Sequence, residues 1–161
     1  MKKTIVLLGF ILLIITSCEK DDFCLQNPVT PNLVITFFDD ANRLIPKDVE
    51  RLSIIALSKT ANLITNITTD SIAIPLNSLA TETVYKLTMN NVDGATANDV
   101  IATFTIKYTP KNDYVSRSCG FRVIFDDVSF SADNSWIKNI TPTSTITNID
   151  NQNSAHVQIF H

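Results

Sequence analysis

The sequence predicts an all-β domain, an antiparallel β-sandwich, on three observations. Short runs rich in Ile, Val, Thr and Phe alternate with period two, turn-forming residues separate them, and no segment supports a long helix. Seven to nine such strands in about 130 residues suit two packed sheets, with immunoglobulin-like architecture as one form and an open barrel as the alternative. The 161 residues are 45% hydrophobic and 18% charged, enough apolar material for one core and too much for disorder.

Pro28 and Pro31 break regular structure before the domain, which is expected to begin at Leu33. Leu33 to Phe38 is β-branched and aromatic and ends in the turn Asp39-Asp40-Ala41-Asn42, so it reads as a strand. Leu52 to Leu57 is apolar on both faces, as a central strand is. Ser71 to Leu76 aligns Ile72, Ile74 and Leu76 on one face, and Pro75 suits an edge.

Thr83 to Met89 turns Tyr85, Leu87 and Met89 inward. Val100 to Tyr108 does the same with Val100, Ala102, Phe104, Ile106 and Tyr108. The Asp93-Gly94 turn signal between these two strands predicts an antiparallel hairpin. Phe121 to Phe130 keeps its inward set aligned only if Asp126-Asp127 bulges or bends the strand. Trp136 and Ile137 follow the Asp133-Asn134 turn, and Ile140 to Ile149 is Thr-rich strand material. Ala155 to Ile159 forms a last strand with Ala155, Val157 and Ile159 on one face and His156 toward solvent.

The amino terminus reads as an address. Met1-Lys2-Lys3 precedes the uncharged apolar run Ile5 to Ile15. As a helix at ~1.5 Å per residue this run reaches about 16 Å, half of the roughly 30 Å hydrocarbon core, so it fits a signal peptide better than a span. Ile15-Thr16-Ser17-Cys18 resembles the lipobox of a bacterial lipoprotein precursor, which implies that the Cys18 thiol is diacylated and the chain cleaved before it. Lys20-Asp21-Asp22 beside Cys18 resembles the signal that sends Bacteroidota lipoproteins to the outer face of the outer membrane; a plain solvated linker is the alternative. The expected organisation is a signal peptide over 1–17, a lipidated tether over 18–32 and the sandwich over 33–161.

With Cys18 acylated, Cys24 and Cys119 remain, and two leftover thiols in an exported chain predict a disulfide. It would close a loop of 95 residues, stabilising by about 4.7 kcal/mol in the chain-entropy account. A reactive thiol at Cys119, beside Arg117, is the alternative.

Thirteen Lys and Arg against sixteen Asp and Glu give a net charge of -3, with no basic cluster outside the first three residues, which argues against nucleic acid as a partner. His156 and His161, the only histidines, have no metal-ligand spacing, and no Gly-x-Ser-x-Gly elbow is present, so no metal, cofactor or catalytic residue is assigned. Asp39-Asp40 with Asn42, and Asp126-Asp127, are read as turn and bulge residues before calcium ligands. Asn66-Ile67-Thr68 and Asn139-Ile140-Thr141 match a eukaryotic sequon that carries little meaning in a bacterial chain. Asp70-Ser71-Ile72 resembles the O-glycosylation signal of Bacteroidota envelope proteins, with Ser71 as acceptor.

Cys18-Glu19-Lys20-Asp21-Asp22, Tyr114-Val115-Ser116-Arg117-Ser118-Cys119-Gly120, Trp136-Ile137 and Ala155 to His161 together resemble an uncharacterised domain-of-unknown-function lipoprotein family of flavobacteria. The resemblance implies a membrane-anchored envelope domain and brings no activity with it. The functional expectation is a non-enzymatic binding or accessory module, lipid-anchored on the outer membrane and exposed at the cell surface, the periplasmic face being the alternative. Its partners would be the membrane, through the lipid, and another envelope protein or a glycan, met by sandwich loops. The competing function is a small envelope hydrolase acting on glycan or peptide, which needs His156 or His161 near Asp126 or a Ser.

Overall fold

The computed structural model describes Cys24 and residues 29–90, 99–133, 135–143 and 145–161. Cys18, Lys20, Asp21, Asp22, the Asp93-Gly94 turn and Asn134 lie outside the described residues. Among the described residues every regular element is a strand: β1 (Leu33–Phe38), β2 (Val49–Ala56), β3 (Ile64–Thr69), β4 (Ser71–Ile74), β5 (Glu82–Met89), β6 (Val100–Ser116), β7 (Gly120–Ala132), β8 (Asn139–Thr141), β9 (Ile146–Ile149) and β10 (Val157–Phe160).

Two compact units divide the chain. Val29–Asp113 with Val123–His161 carries both sheets, one in the order β4-β1-β10-β8 and one in the order β3-β2-β5-β6-β7-β9. Alternate residues of each strand meet between the sheets. Leu33, Ile35, Phe37, Val157 and Ile159 from one sheet and Leu52, Ile54, Leu87, Phe104 and Ile106 from the other share a single core, each contributing about 1.5–3 kcal/mol by leaving water. Two packed sheets confirm the sandwich. Its strand order is its own, since an immunoglobulin domain places its strands as ABED against CFG.

β5 and β6 form the expected hairpin, paired from Glu82 with Lys107 to Met89 with Val100. β6 continues past the expected end at Tyr108. Pairing with β5 ends at Lys107, opposite Glu82, and the Tyr108 N–H still reaches the Thr81 carbonyl; Pro110, two residues on, faces that same side where β5 has ended, so no ladder bond is lost for want of an N–H. Val100, expected inside, is exposed. In β7 both Phe125 and Val128 are buried at an odd spacing, and Asp127 at φ 52° supplies the change of phase expected of the acidic pair. β2 uses the same device: Arg51 at φ 46° and register shifts against β3 let Val49 and Leu52 both face the core.

Several expectations are corrected. β1 and β10 run parallel, Ile35 opposite Val157, so the smaller sheet is mixed and not purely antiparallel. β3 was not predicted, because Ile64 and Ile67 sit in a Thr- and Asn-rich, largely exposed edge strand with no alternation to read. Ile140 to Ile149 is two strands in different sheets, Pro142 ending β8 before the chain crosses to β9. Ala155 is exposed and precedes β10, and His156 is half-buried. Pairing, not sequence alternation, sets that face: the Val34 N–H donates to His156 Nδ1 at 2.9 Å and the His156 N–H donates to the Val34 carbonyl at 2.9 Å.

The other unit comprises Met1–Pro28 and Tyr114–Arg122. Within it Cys24 and Cys119 are disulfide-bonded, with Cα atoms 4.8 Å apart and a separation of 95 positions in sequence. Gly120, at φ 73°, makes the turn after Cys119, whose N–H donates to Ser116 Oγ at 3.1 Å.

Candidate functional site

A cleft of about 920 Å³ opens in the two-sheet unit, between the β2–β3 connection and the β4–β5 connection. One wall starts where β2 ends. The Leu57 N–H donates to the Val84 carbonyl at 2.9 Å, Lys59 N–H to Ala56 at 2.8 Å, and Leu63 N–H to Ile54 at 2.8 Å, so the polar stretch from Ser58 to Asn62 leaves and re-enters the sheet as a closed loop. Leu57 and Leu63, 58% and 45% exposed, present apolar side chains at its two feet. Pro75 stops β4 and the chain turns through Asn77, whose Oδ1 accepts the Leu79 N–H at 3.0 Å in an Asx turn. Pro75, Leu76 and Asn77 are the facing wall, and Glu82 to Tyr85 complete the lining.

Two buried tyrosines fix this wall. The Tyr85 hydroxyl donates to the Pro75 carbonyl. Tyr108 OH donates to the Asn77 carbonyl at 2.8 Å and lies 2.5 Å from Thr83 Oγ1, which accepts the Asn77 N–H at 3.0 Å. Because the Tyr108 proton is committed to Asn77, Thr83 is the donor to Tyr108. The bonds therefore close a ring from Asn77 N–H through Thr83 and Tyr108 back to the Asn77 carbonyl. Burial pushes the Tyr85 hydroxyl up to about 12 and raises that of Tyr108, so both remain protonated donors at neutral pH. The wall is preformed, and no titratable group of the ring is left over for proton transfer. The lining is apolar at Leu57, Leu63, Leu76, Val84 and Tyr85, with Lys59 and Glu82 as its charged groups. Such a surface suits binding a partly apolar segment that also offers hydrogen-bonding groups.

The residues singled out in the sequence lie elsewhere. His156 accepts from Val34 through Nδ1, which puts its proton on Nε2 facing the Asn151 carbonyl at 3.0 Å. His161 packs edge-on against Phe37 and Trp136, and its Nε2 lies 3.3 Å from the Lys47 carbonyl. Desolvation holds both imidazoles below their ordinary value. Asp126 lies 3.5 Å from Lys111 Nζ. Asp39 pairs with Lys47 at 3.0 Å and caps Asn42 N–H at 3.0 Å, the Lys47 hydrogen bond chiefly holding its carboxyl low, and Asp40 pairs with Arg43 at 3.0 Å. Asp39 and Asp40 serve the turn after β1, and Asp126 sits within β7 beside the bulge at Asp127. Among the described residues no group of three His, Cys, Asp or Glu is placed to hold a metal. Ser71 is exposed at the start of the edge strand β4.

No motif in the sequence marks the cleft itself. The inward phase of Tyr85 and Tyr108 is its one trace, since a buried tyrosine hydroxyl requires a partner such as a loop folded over it. Comparison with curated proteins and with solved structures finds no match. Residues 51–161, which include every residue lining the cleft, match a family model described as a family of unknown function (DUF6452). Through that match, which covers well over half of its length, the chain belongs to the family of unknown function DUF6452.

Proposed function

We propose that this protein is a lipid-anchored, non-enzymatic binding or accessory module of a bacterial outer membrane, displayed on the cell surface. Residues 1–17 serve as signal peptide, 18–32 as a tether acylated at Cys18 and sorted by Lys20, Asp21 and Asp22, and 33–161 as the presenting domain. The cleft between the β2–β3 and β4–β5 connections carries this reading. Its volume of about 920 Å³ lies within the range of small-ligand sites, and the Asn77–Thr83–Tyr108 ring makes one wall rigid before any ligand arrives. The ligand is a segment of another envelope protein or a glycan. Hydrolysis is the less supported function, because each imidazole is committed to backbone groups and neither lines the cleft.

A photoreactive residue at Leu63, used in intact cells, tests this assignment. The proposal expects a discrete cross-linked product that disappears when Leu57→Arg is added and that does not form from a photoreactive residue at Leu44, an exposed position outside the lining. Equal products from Leu63 and Leu44, or a product indifferent to Leu57→Arg, would remove the cleft from the function.

A further inference from the structure

Tyr114 and Phe121 are the aromatic residues among the large hydrophobic side chains that the described chain leaves exposed, at 59% and 64%. They face each other across the β6–β7 turn, ring centroids 5.3 Å apart and edge-on. Between them the turn carries Cys119, bonded to Cys24. Neither ring belongs to the buried core, and both stand on a turn bonded to the tether. Cys24 follows Cys18 by six residues. At no more than ~3.6 Å per residue, that stretch reaches about 20 Å when fully extended.

We propose that the disulfide holds the Tyr114–Phe121 pair against the membrane on which the chain is anchored, so that the turn is a second, peripheral contact with the lipid headgroup layer. The inference rests on acylation of Cys18. With the lipid inserted at Cys18, the short tether and the Cys24–Cys119 bond confine the turn to within a tether length of the acyl chains. Aromatic side chains with one polar end, as in Tyr114, favour the headgroup layer, and Phe121 adds apolar surface beside it. The anchor supplies proximity, and the aromatic pair orients the unit on the surface.

The test uses the full acylated chain carrying Phe121→Trp, reconstituted into phosphatidylethanolamine and phosphatidylglycerol vesicles with or without bromine on the acyl chains. The wild-type signal of Trp136 is subtracted. The proposal expects emission from position 121 to fall by about twofold or more in brominated vesicles and to shift to the blue relative to the unacylated chain in buffer. The mass of the mature terminus is measured on the same sample. Unquenched emission from a chain whose Cys18 is acylated overturns the membrane contact and leaves the anchor intact, whether the turn is bare or covered by a protein. An unmodified Cys18 overturns the anchor and the contact together.

Discussion

Replacing His156 with Ala removes the acceptor of the Val34 N–H, and the consequence can be worked from the geometry. The ring is half-buried between β1 and the segment leading into β10, taking the Val34 N–H at 2.9 Å and facing the Asn151 carbonyl at 3.0 Å. An orphaned buried donor costs about 1–3 kcal/mol, and partial access of water to this position places the loss near the lower end, about 1–2 kcal/mol. For a domain of this size that lowers the melting temperature by about 3–8 °C. The same contact is pH-dependent. Protonation at Nδ1 turns the acceptor into a donor facing Val34 N–H, and burial holds the folded ring below its ordinary value of 6.5. The unfolded chain therefore binds the proton more readily. Stability from the neutral ring is present above pH 6.5 and lost as pH falls through the lowered value of the fold. Wild type should melt progressively lower between pH 7.5 and 5, and His156→Ala should flatten part of that slope, the remainder belonging to His161, whose imidazole is shifted the same way. Urea and thermal melts at both ends of the range measure it. A variant that melts with wild type at pH 7.5 and keeps the full pH slope would show that the Val34 contact contributes nothing.

Two further outcomes rest on the architecture and a third on the proposed export signal. Truncation after Asn153 deletes β10, an interior strand of its sheet with Val157, Ile159 and Phe160 buried, and should abolish the native circular dichroism spectrum. Tyr108→Phe opens the hydrogen-bonded ring behind the cleft, leaving the Asn77 carbonyl and Thr83 without their shared partner; a loss of about 1–2 kcal/mol in urea melts should accompany faster amide exchange at Asn77 and Leu79. Asp21→Ala with Asp22→Ala should turn a chain digested by protease on intact cells into a protected one, and unchanged digestion would reduce those residues to linker.

How much was legible in the sequence depended on where each strand's signal resides. β5 and most of β6 carry clear alternation, so residues that face the core could be named from the chain alone, Tyr85, Leu87, Phe104 and Ile106 among them, whereas β1 is apolar at every position but Thr36 and shows its core face only in the structure. The Asp126-Asp127 irregularity was visible because only a bulge reconciles Phe125 with Val128. What alternation does not carry is the identity of a partner. The parallel pairing of β1 with β10 joins residues more than 120 positions apart, and Ala155 follows the apolar phase yet lies outside the strand. β3 was invisible because an edge strand can be almost wholly polar. The cleft was illegible for a related reason: most of its residues belong to two loops that meet over the start of β5, and only the buried Tyr85 and Tyr108 hydroxyls hinted that a loop must fold back on them.

Surface display, the orienting role of Tyr114 and Phe121, and presentation of the cleft to another envelope component all depend on one covalent event. The mass of the mature amino-terminal peptide, taken from purified outer membranes, reads it directly. The account predicts a chain that begins at Cys18 and carries thioether-linked diacylglycerol, with the Cys18→Ala variant uncleaved and of different mass. A wild-type chain that retains residues 1–17, or that begins elsewhere with Cys18 unmodified, would contradict it.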